Sequence, residues 1–248
     1  MNNKTIQQLF DFTGKTVVVT GGAMGIGYGI VLRFLEAGAN VVIADIDQEV
    51  GQQKVQALGK QAVFVKTDVS SEEEVRNLIS KTLEHFSGLD VLVNNAGIYP
   101  QKPVLEMDLA LWEKIQAVNL RSVFLCCREA AKTMIEKGGG NIINIGSIDS
   151  LHPSMVGLAA YDTSKHGVWG FTKNFALEVA GKGIRVNAIA PGGINTEGVA
   201  KMMGGGEQVK SAIKQFAEKV PLGRFGEPDD IAMAALFCAS EASAYMTG

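Results

Sequence analysis

The stretch KTVVVTGGAMGIG, residues 15–27, joins a β-branched run to a glycine-rich turn, and the reading of the whole chain starts there. Three valines flanked by threonines suit a strand buried on both faces. Gly21, Gly25 and Gly27, with Met24 and Ile26 between them, permit a tight turn, close approach of backbone to a pyrophosphate, and tight packing of the helix that follows. The N–H groups opening such a helix attract phosphate. Eighteen residues past Gly27 stands Asp45, at the end of a second β-branched run, where a carboxylate binds the hydroxyls of an adenosine ribose. Glycine alone could simply end a strand. Strand before, helix after and an acid at this distance together predict a dinucleotide site.

Further apolar runs follow at 40–45 (NVVIAD), 62–67 (AVFVKT), 89–94 (LDVLVN), 140–147 (GNIINIGS) and 184–191 (IRVNAIAP). Amphipathic stretches separate them; in 71–87 Ser71 stands as N-cap with Glu74 three residues on, the pattern of a capping box. Parallel strands need crossovers, and crossovers are usually helices, so the alternation predicts an α/β fold: a Rossmann-like doubly wound parallel sheet in a three-layer α/β/α arrangement. No Pro- or Ser-rich linker divides the chain, so residues 1–248 read as a single domain.

Composition narrows the function classes. At 248 residues, 46% of them apolar, the chain can bury a sizeable core. A net charge of -3 without a basic cluster gives no footprint for nucleic acid. No run of 18 apolar residues predicts a membrane span, and MNNKTIQQLF lacks the order of a signal peptide. Cys126, Cys127 and Cys238 form no C-x-x-C and cannot all pair, which fits free thiols in the cytoplasm. With His85, His152 and His166 scattered, no metal-ligand spacing is present, and a metal-dependent polyol dehydrogenase is excluded.

YDTSK, residues 161–165, sets a tyrosine four positions before a lysine in a helical pattern, so Tyr161 and Lys165 share one face. The pair reads either as a surface lysine packed along a half-buried tyrosine or as a phenol activated by a cation. A free tyrosine has a pKa of about 10 and is a poor base. A cation about 4 Å away would favour the phenolate by roughly 4 kcal/mol at the effective dielectric of a protein surface, so Tyr161 is expected below its usual value. Ser147, at the carboxyl edge of the fifth strand, is either a helix cap or a substrate contact.

The order T-G-x-x-x-G-x-G at 20–27, NNAG at 94–97, Asn119 in VNL, Ser147 in NIGSI, Tyr161 and Lys165 in YDTSK, and PGGINT at 191–196 resembles the short-chain dehydrogenase/reductase family, from about residue 12 to the end. The resemblance implies strand order 3-2-1-4-5-6, normally extended by a seventh strand. It also implies hydride transfer between a nicotinamide cofactor and an alcohol or carbonyl substrate, with Tyr161 as general acid/base. Lys165 would bond the nicotinamide ribose, Ser147 the substrate oxygen, and Asn119 a water relaying protons, unless Asn119 only bends its helix. Asp68 and Val69 would border the adenine, unless Asp68 is only a cap; Asn95, Ala96 and Gly97 would lie near the adenosine, and Ile194 and Thr196 would close over the carboxamide and phosphates. NAD is expected over NADP, because Asp45 repels a 2′-phosphate and is followed by Ile46, Asp47 and Gln48 rather than a cation.

Substrate contacts are expected from 98–102, 148–153 and 195–220, the last forming a lid with Met202, Met203 and Gly204 to Gly206. Asp149, His152 and Asn195 suggest a sugar or polyol; a more apolar secondary alcohol, a hydroxysteroid, or a silent NAD-binding regulator are the alternatives. The sequence stops at Gly248, before the family's seventh strand, so about ten further residues and a homotetramer are expected, with contacts from the helices at 108–137 and 161–181.

Overall fold

The computed structural model describes residues 4–153, 155–202, 217–218 and 220–248. After a short helix α1 (Ile6–Leu9), the chain runs β1 (Thr16–Thr20), α2 (Gly25–Glu36), β2 (Asn40–Asp45), α3 (Gln48–Leu58), β3 (Ala62–Lys66), α4 (Glu72–Phe86) and β4 (Val91–Asn94). The second half continues with α5 (Leu109–Gln116), α6 (Ser122–Lys137), β5 (Gly140–Ile145), α7 (Ala159–Val179), β6 (Ile184–Ile189), α8 (Glu197–Met202) and α9 (Pro228–Ala239). The six strands form one parallel sheet in the order β3-β2-β1-β4-β5-β6, the doubly wound order expected from the sequence.

Alternation along the strands divides the core into two layers. Val17, Val19, Val41, Ile43, Val91 and Val93 face α2 and α9 with Ile30, Phe34, Ile231 and Leu236. Val18, Val42, Leu92, Ile142 and Val186 face the other way, onto Leu78 of α4, Cys126 and Met134 of α6, and Val168 of α7. All these side chains are buried, as strands covered on both faces require. Cys126, Cys127 and Cys238 are free thiols within these layers. Burial pushes Cys126 up to about 12 and Cys127 well above the ordinary thiol value, so both are unreactive.

Two local expectations change. The Ser71 hydroxyl caps α4 by accepting from the Glu74 N–H, but the Glu74 carboxylate accepts from Asp68 N–H rather than from Ser71, so the box is not closed. The helix expected over 108–137 is interrupted at 117–121 by a π turn, in which Ser122 N–H donates to the carbonyl of Ala117, five residues back. Such one-residue expansions recur at functional sites. Asn119 sits in this one.

Beyond β6 the described residues contain no seventh strand. Residues 246–248 run along its outer edge instead: the Gly248 N–H donates to the Val186 carbonyl at 2.8 Å, and the Val186 N–H to Thr247 Oγ1 at 3.0 Å. No helix among the described residues is long and apolar enough to cross a membrane.

Candidate active site

At the carboxyl ends of the strands, where the order reverses between β1 and β4, lies a cavity of about 780 Å³. Gly21, Met24, Gly25, Ile26, Asp45, Asp68, Val69, Asn95, Ala96, Gly97, Ser147, Tyr161, Lys165, Ile194 and Thr196 all line it. The candidate residues Gly27 and Asn119 stand behind the wall.

One end is built from backbone. Gly21 adopts a φ of 62°, and a Cβ on it would lie 2.9 Å from the Ala96 Cα; a Cβ on Gly27 would lie 2.1 Å from the Gly21 carbonyl oxygen. The turn therefore closes only without side chains, and it presents the start of α2 to the cavity. Asn95 locks it: its amide donates to the carbonyls of Thr20 and Gly21 at 3.0 and 2.9 Å, while Thr20 Oγ1 accepts from the Asn95 and Ala96 N–H groups. Asp45 is held by the Ala23 and Asp47 N–H groups, one on each oxygen, both at 3.1 Å. Asp68 accepts from the N–H and hydroxyl of Ser70, so it caps its turn while lining the cavity. Thr196 caps α8 by accepting from Val199 N–H, and its methyl group faces Gly25. This glycine cradle, helix start and fixed carboxylate fit a dinucleotide cofactor.

The other end is built from buried polar side chains. The Ser147 hydroxyl donates to Asp149 Oδ2 at 3.0 Å and accepts from Asp149 N–H at 3.1 Å. It therefore caps the turn 148–150 while lining the cavity. Lys165, 5% exposed, donates from Nζ to the Ile145 carbonyl at 2.8 Å and lies 5.7 Å from the centroid of the Tyr161 ring. Burial brings its ammonium down to about 8.

Tyr161 departs from the expectation. Burial raises its phenol to about 12; the nearby Ser147 hydroxyl opposes this, while the charges of Asp149, Tyr99 and Asp162 add to it. Desolvation of the phenolate decides the direction. In the protein alone the tyrosine is a proton donor.

Asn119 does more than bend its helix. Its Oδ1 accepts from the Ile98 N–H and its Nδ2 donates to the Ile98 carbonyl, both at 2.8 Å, so its amide clamps the chain leaving β4. Nδ2 also donates to Ser164 Oγ, which donates in turn to the Tyr161 carbonyl.

Of the three polar residues read as substrate contacts, only Asp149 lines the cavity. His152 is exposed and Asn195 bonds Glu227. Met203, Gly204 to Gly206 and most of the expected lid lie outside the described residues; its described part contributes Thr196, Glu197, Gly198 and Val199 to the wall. Two neighbours were not singled out by the sequence. Tyr99, within the segment 98–102 expected at the wall, lines the cavity and meets the Tyr161 ring edge-on, with centroids 6.2 Å apart. Ser164 sits inside the YDTSK motif, where its spacing to Tyr161 already placed it on the same helix.

Residues 21–248 match the family described as Enoyl-(Acyl carrier protein) reductase. The 3-oxoacyl-[acyl-carrier-protein] reductase of Chlamydia pneumoniae is 39% identical over 237 residues, covering 94% of this chain and 93% of that protein. The 2,5-dichloro-2,5-cyclohexadiene-1,4-diol dehydrogenase of Sphingobium indicum is 37% identical over 238 residues, covering 95% and 92%. A solved short-chain type dehydrogenase/reductase from Mycobacterium marinum superposes with a TM-score of 0.89 at 34% identity, covering 98% of this chain and 95% of that one. Fold, cavity and relatives define a nicotinamide-cofactor oxidoreductase. The chain belongs to the short-chain dehydrogenase/reductase family.

Proposed function

We propose that the protein is an NAD-dependent dehydrogenase that oxidises a secondary alcohol of a sugar or polyol, or reduces the matching ketone, with Tyr161 as general acid/base. The observation that carries this reading is the gathering of Ser147, Tyr161 and Lys165 on the wall at one end of the cavity, with Asp45 at the other. Held by these residues, a nicotinamide cofactor would supply the hydride chemistry and, in its oxidised form, a positive charge favouring the phenolate. Ser147 orients the substrate oxygen. Tyr161, held as a phenol by burial, gives its proton to a carbonyl in reduction and takes one from an alcohol in oxidation. Lys165 holds the ribose and adds positive charge beside the phenol, and Asn119 keeps the Ile98 segment in position beside a water that carries protons outward.

Asp45 supports NAD, because its two oxygens are fixed by backbone N–H groups and cannot turn away from a 2′-phosphate. At about 4 Å that repulsion is of order 4 kcal/mol. Asp149 on the wall supports a hydroxylated substrate. A second reading, a more apolar secondary alcohol or hydroxysteroid, is favoured by Ile98, Ile148, Met155, Leu158 and Val199 on the same wall. The relatives named above, a cyclohexadienediol dehydrogenase and a 3-oxoacyl reductase, support the general reaction on CH–OH and carbonyl groups.

The buried thiols support a reducing, cytoplasmic setting. Exposed Leu109, Phe124, Ile135 and Leu177 on α5, α6 and α7 support assembly as a homotetramer, which light scattering on the eluting protein tests directly. The test of the reaction itself is NADH absorbance across polyols, aldoses, secondary alcohols and hydroxysteroids. Turnover of a polyol or aldose is expected; none from any class would leave a silent cofactor-binding protein.

A further inference from the structure

Asp149 is 7% exposed, lines the cavity, and makes no ion pair among the described residues. Its Oδ2 accepts from the Ser147 hydroxyl at 3.0 Å; its Oδ1 is buried with no hydrogen-bond partner among the described residues. The neighbouring Asp162 also keeps one buried oxygen without a partner, and burial together with the Asp149 charge raises its carboxyl. A desolvated carboxylate with an open acceptor site, beside a second acid, calls for a donor from elsewhere.

Ser147 has one hydroxyl proton to give. When that proton turns to the oxygen of a substrate, Asp149 loses its only side-chain donor. A second hydroxyl on the substrate replaces it. The two oxygens of neighbouring carbons stand about one hydrogen-bond length apart, which is also the separation of Ser147 Oγ and Asp149 Oδ2. A substrate oxygen on Ser147 therefore brings its neighbour to Asp149. An ammonium, with three donors to satisfy, fits a single open oxygen less well, and an anionic substituent would meet two acids.

Resting on the reaction proposed above, we infer that Asp149 reads a hydroxyl on the carbon adjacent to the one oxidised, so that vicinal diols and the corresponding hydroxyketones are the preferred substrates. A monohydroxy alcohol leaves the carboxylate buried without a donor, and the site rejects it for that reason.

The experiment compares kcat/KM of the full chain, with saturating NAD and with NADP, on cyclohexane-1,2-diol against cyclohexanol and on butane-2,3-diol against butan-2-ol. The parent is expected to prefer each diol by about 100-fold, the worth of a hydrogen bond to a charged group. In Asp149→Ala the preference should fall to within about 3-fold of unity, and in the near-isosteric Asp149→Asn to about 10-fold, with cofactor binding by fluorescence titration confirming that both variants fold. A parent preference near unity overturns the inference. So does a drop in rate that leaves the diol preference intact, which would make Asp149 only a positioning residue for Ser147. Absence of oxidation of all four alcohols overturns this inference; the reaction itself falls only if polyols, aldoses and hydroxysteroids are untouched as well.

Discussion

The two ends of the cavity perform their parts by opposite means. At the β1–β2 end, function resides in what is missing: glycine hydrogens where a Cβ would strike backbone at 2.1 and 2.9 Å, and a carboxylate whose oxygens are tied to N–H groups. At the β5–α7 end it resides in side chains carried into a place where charge is costly, so that Tyr161 rises to about 12 and Lys165 falls to about 8. The glycine turn of the first end is steric and should be silent toward pH. The second is electrostatic, and it subtracts from stability in order to hold reactive groups.

The largest effect tests the electrostatic end. Tyr161→Phe is expected to lower kcat about 1,000-fold while NAD affinity, measured by fluorescence titration, stays within about 3-fold, because only the proton transfer loses its partner. A rate within tenfold of the parent would remove Tyr161 from the chemistry.

Next comes stability. Between pH about 8 and 10.5 the unfolded chain holds the Lys165 proton and the folded protein does not, so stability should rise with pH across that window. Between pH 10 and about 12 the folded protein keeps the Tyr161 proton that the unfolded chain has lost, so stability should then fall. Lys165→Met should be more stable than the parent at pH 7, by up to about 3 kcal/mol in urea denaturation, and should lose the rise above pH 8. Its activity should nevertheless be impaired. A variant no more stable than the parent would erase the contrast between the ends.

At the steric end, Gly27→Ala should cost about 2 to 3 kcal/mol by overpacking, with weaker cofactor binding and no change in the pH dependence of what activity remains. The smallest effect is on cofactor choice. The parent should favour NAD over NADP by about 100-fold in kcat/KM, and Asp45→Ala should narrow this to about tenfold. Equal use of both cofactors by the parent would show that the fixed carboxylate does not face the ribose.

The steric end was legible in the sequence because its determinants are local. Strand, glycine turn, helix and acid follow one another within 15–45, and each rests on backbone geometry that the residue types impose. The strand order was legible only through the family resemblance that the ordered motifs carry, because local patterning gives parallel strands and crossovers but not their order. The electrostatic end was legible in its residues but not in its energetics. Nothing in YDTSK states how deeply the pair is buried, and burial decides the direction of the Tyr161 shift. His152 and Asn195 were assigned to the substrate because they stand in segments expected at the wall, and membership of a segment does not say which way a side chain faces. Tyr99 stood in a segment already assigned to the wall, but an aromatic in a loop carries no period by which to orient it. The π turn escaped because apolar spacing through 109–137 is satisfied by a continuous helix, and one surplus residue barely disturbs it.

That surplus residue places the Asn119 amide by length rather than by composition. With one residue removed from 117–121, α5 and α6 would run on as a single α-helix, and the side chain at this position would swing by about 100° around the axis, off the Ile98 backbone. The hold on Ile98 thus depends on how many residues lie between Asp108 and Gly138, a number that a chain acquires or loses in one insertion or deletion.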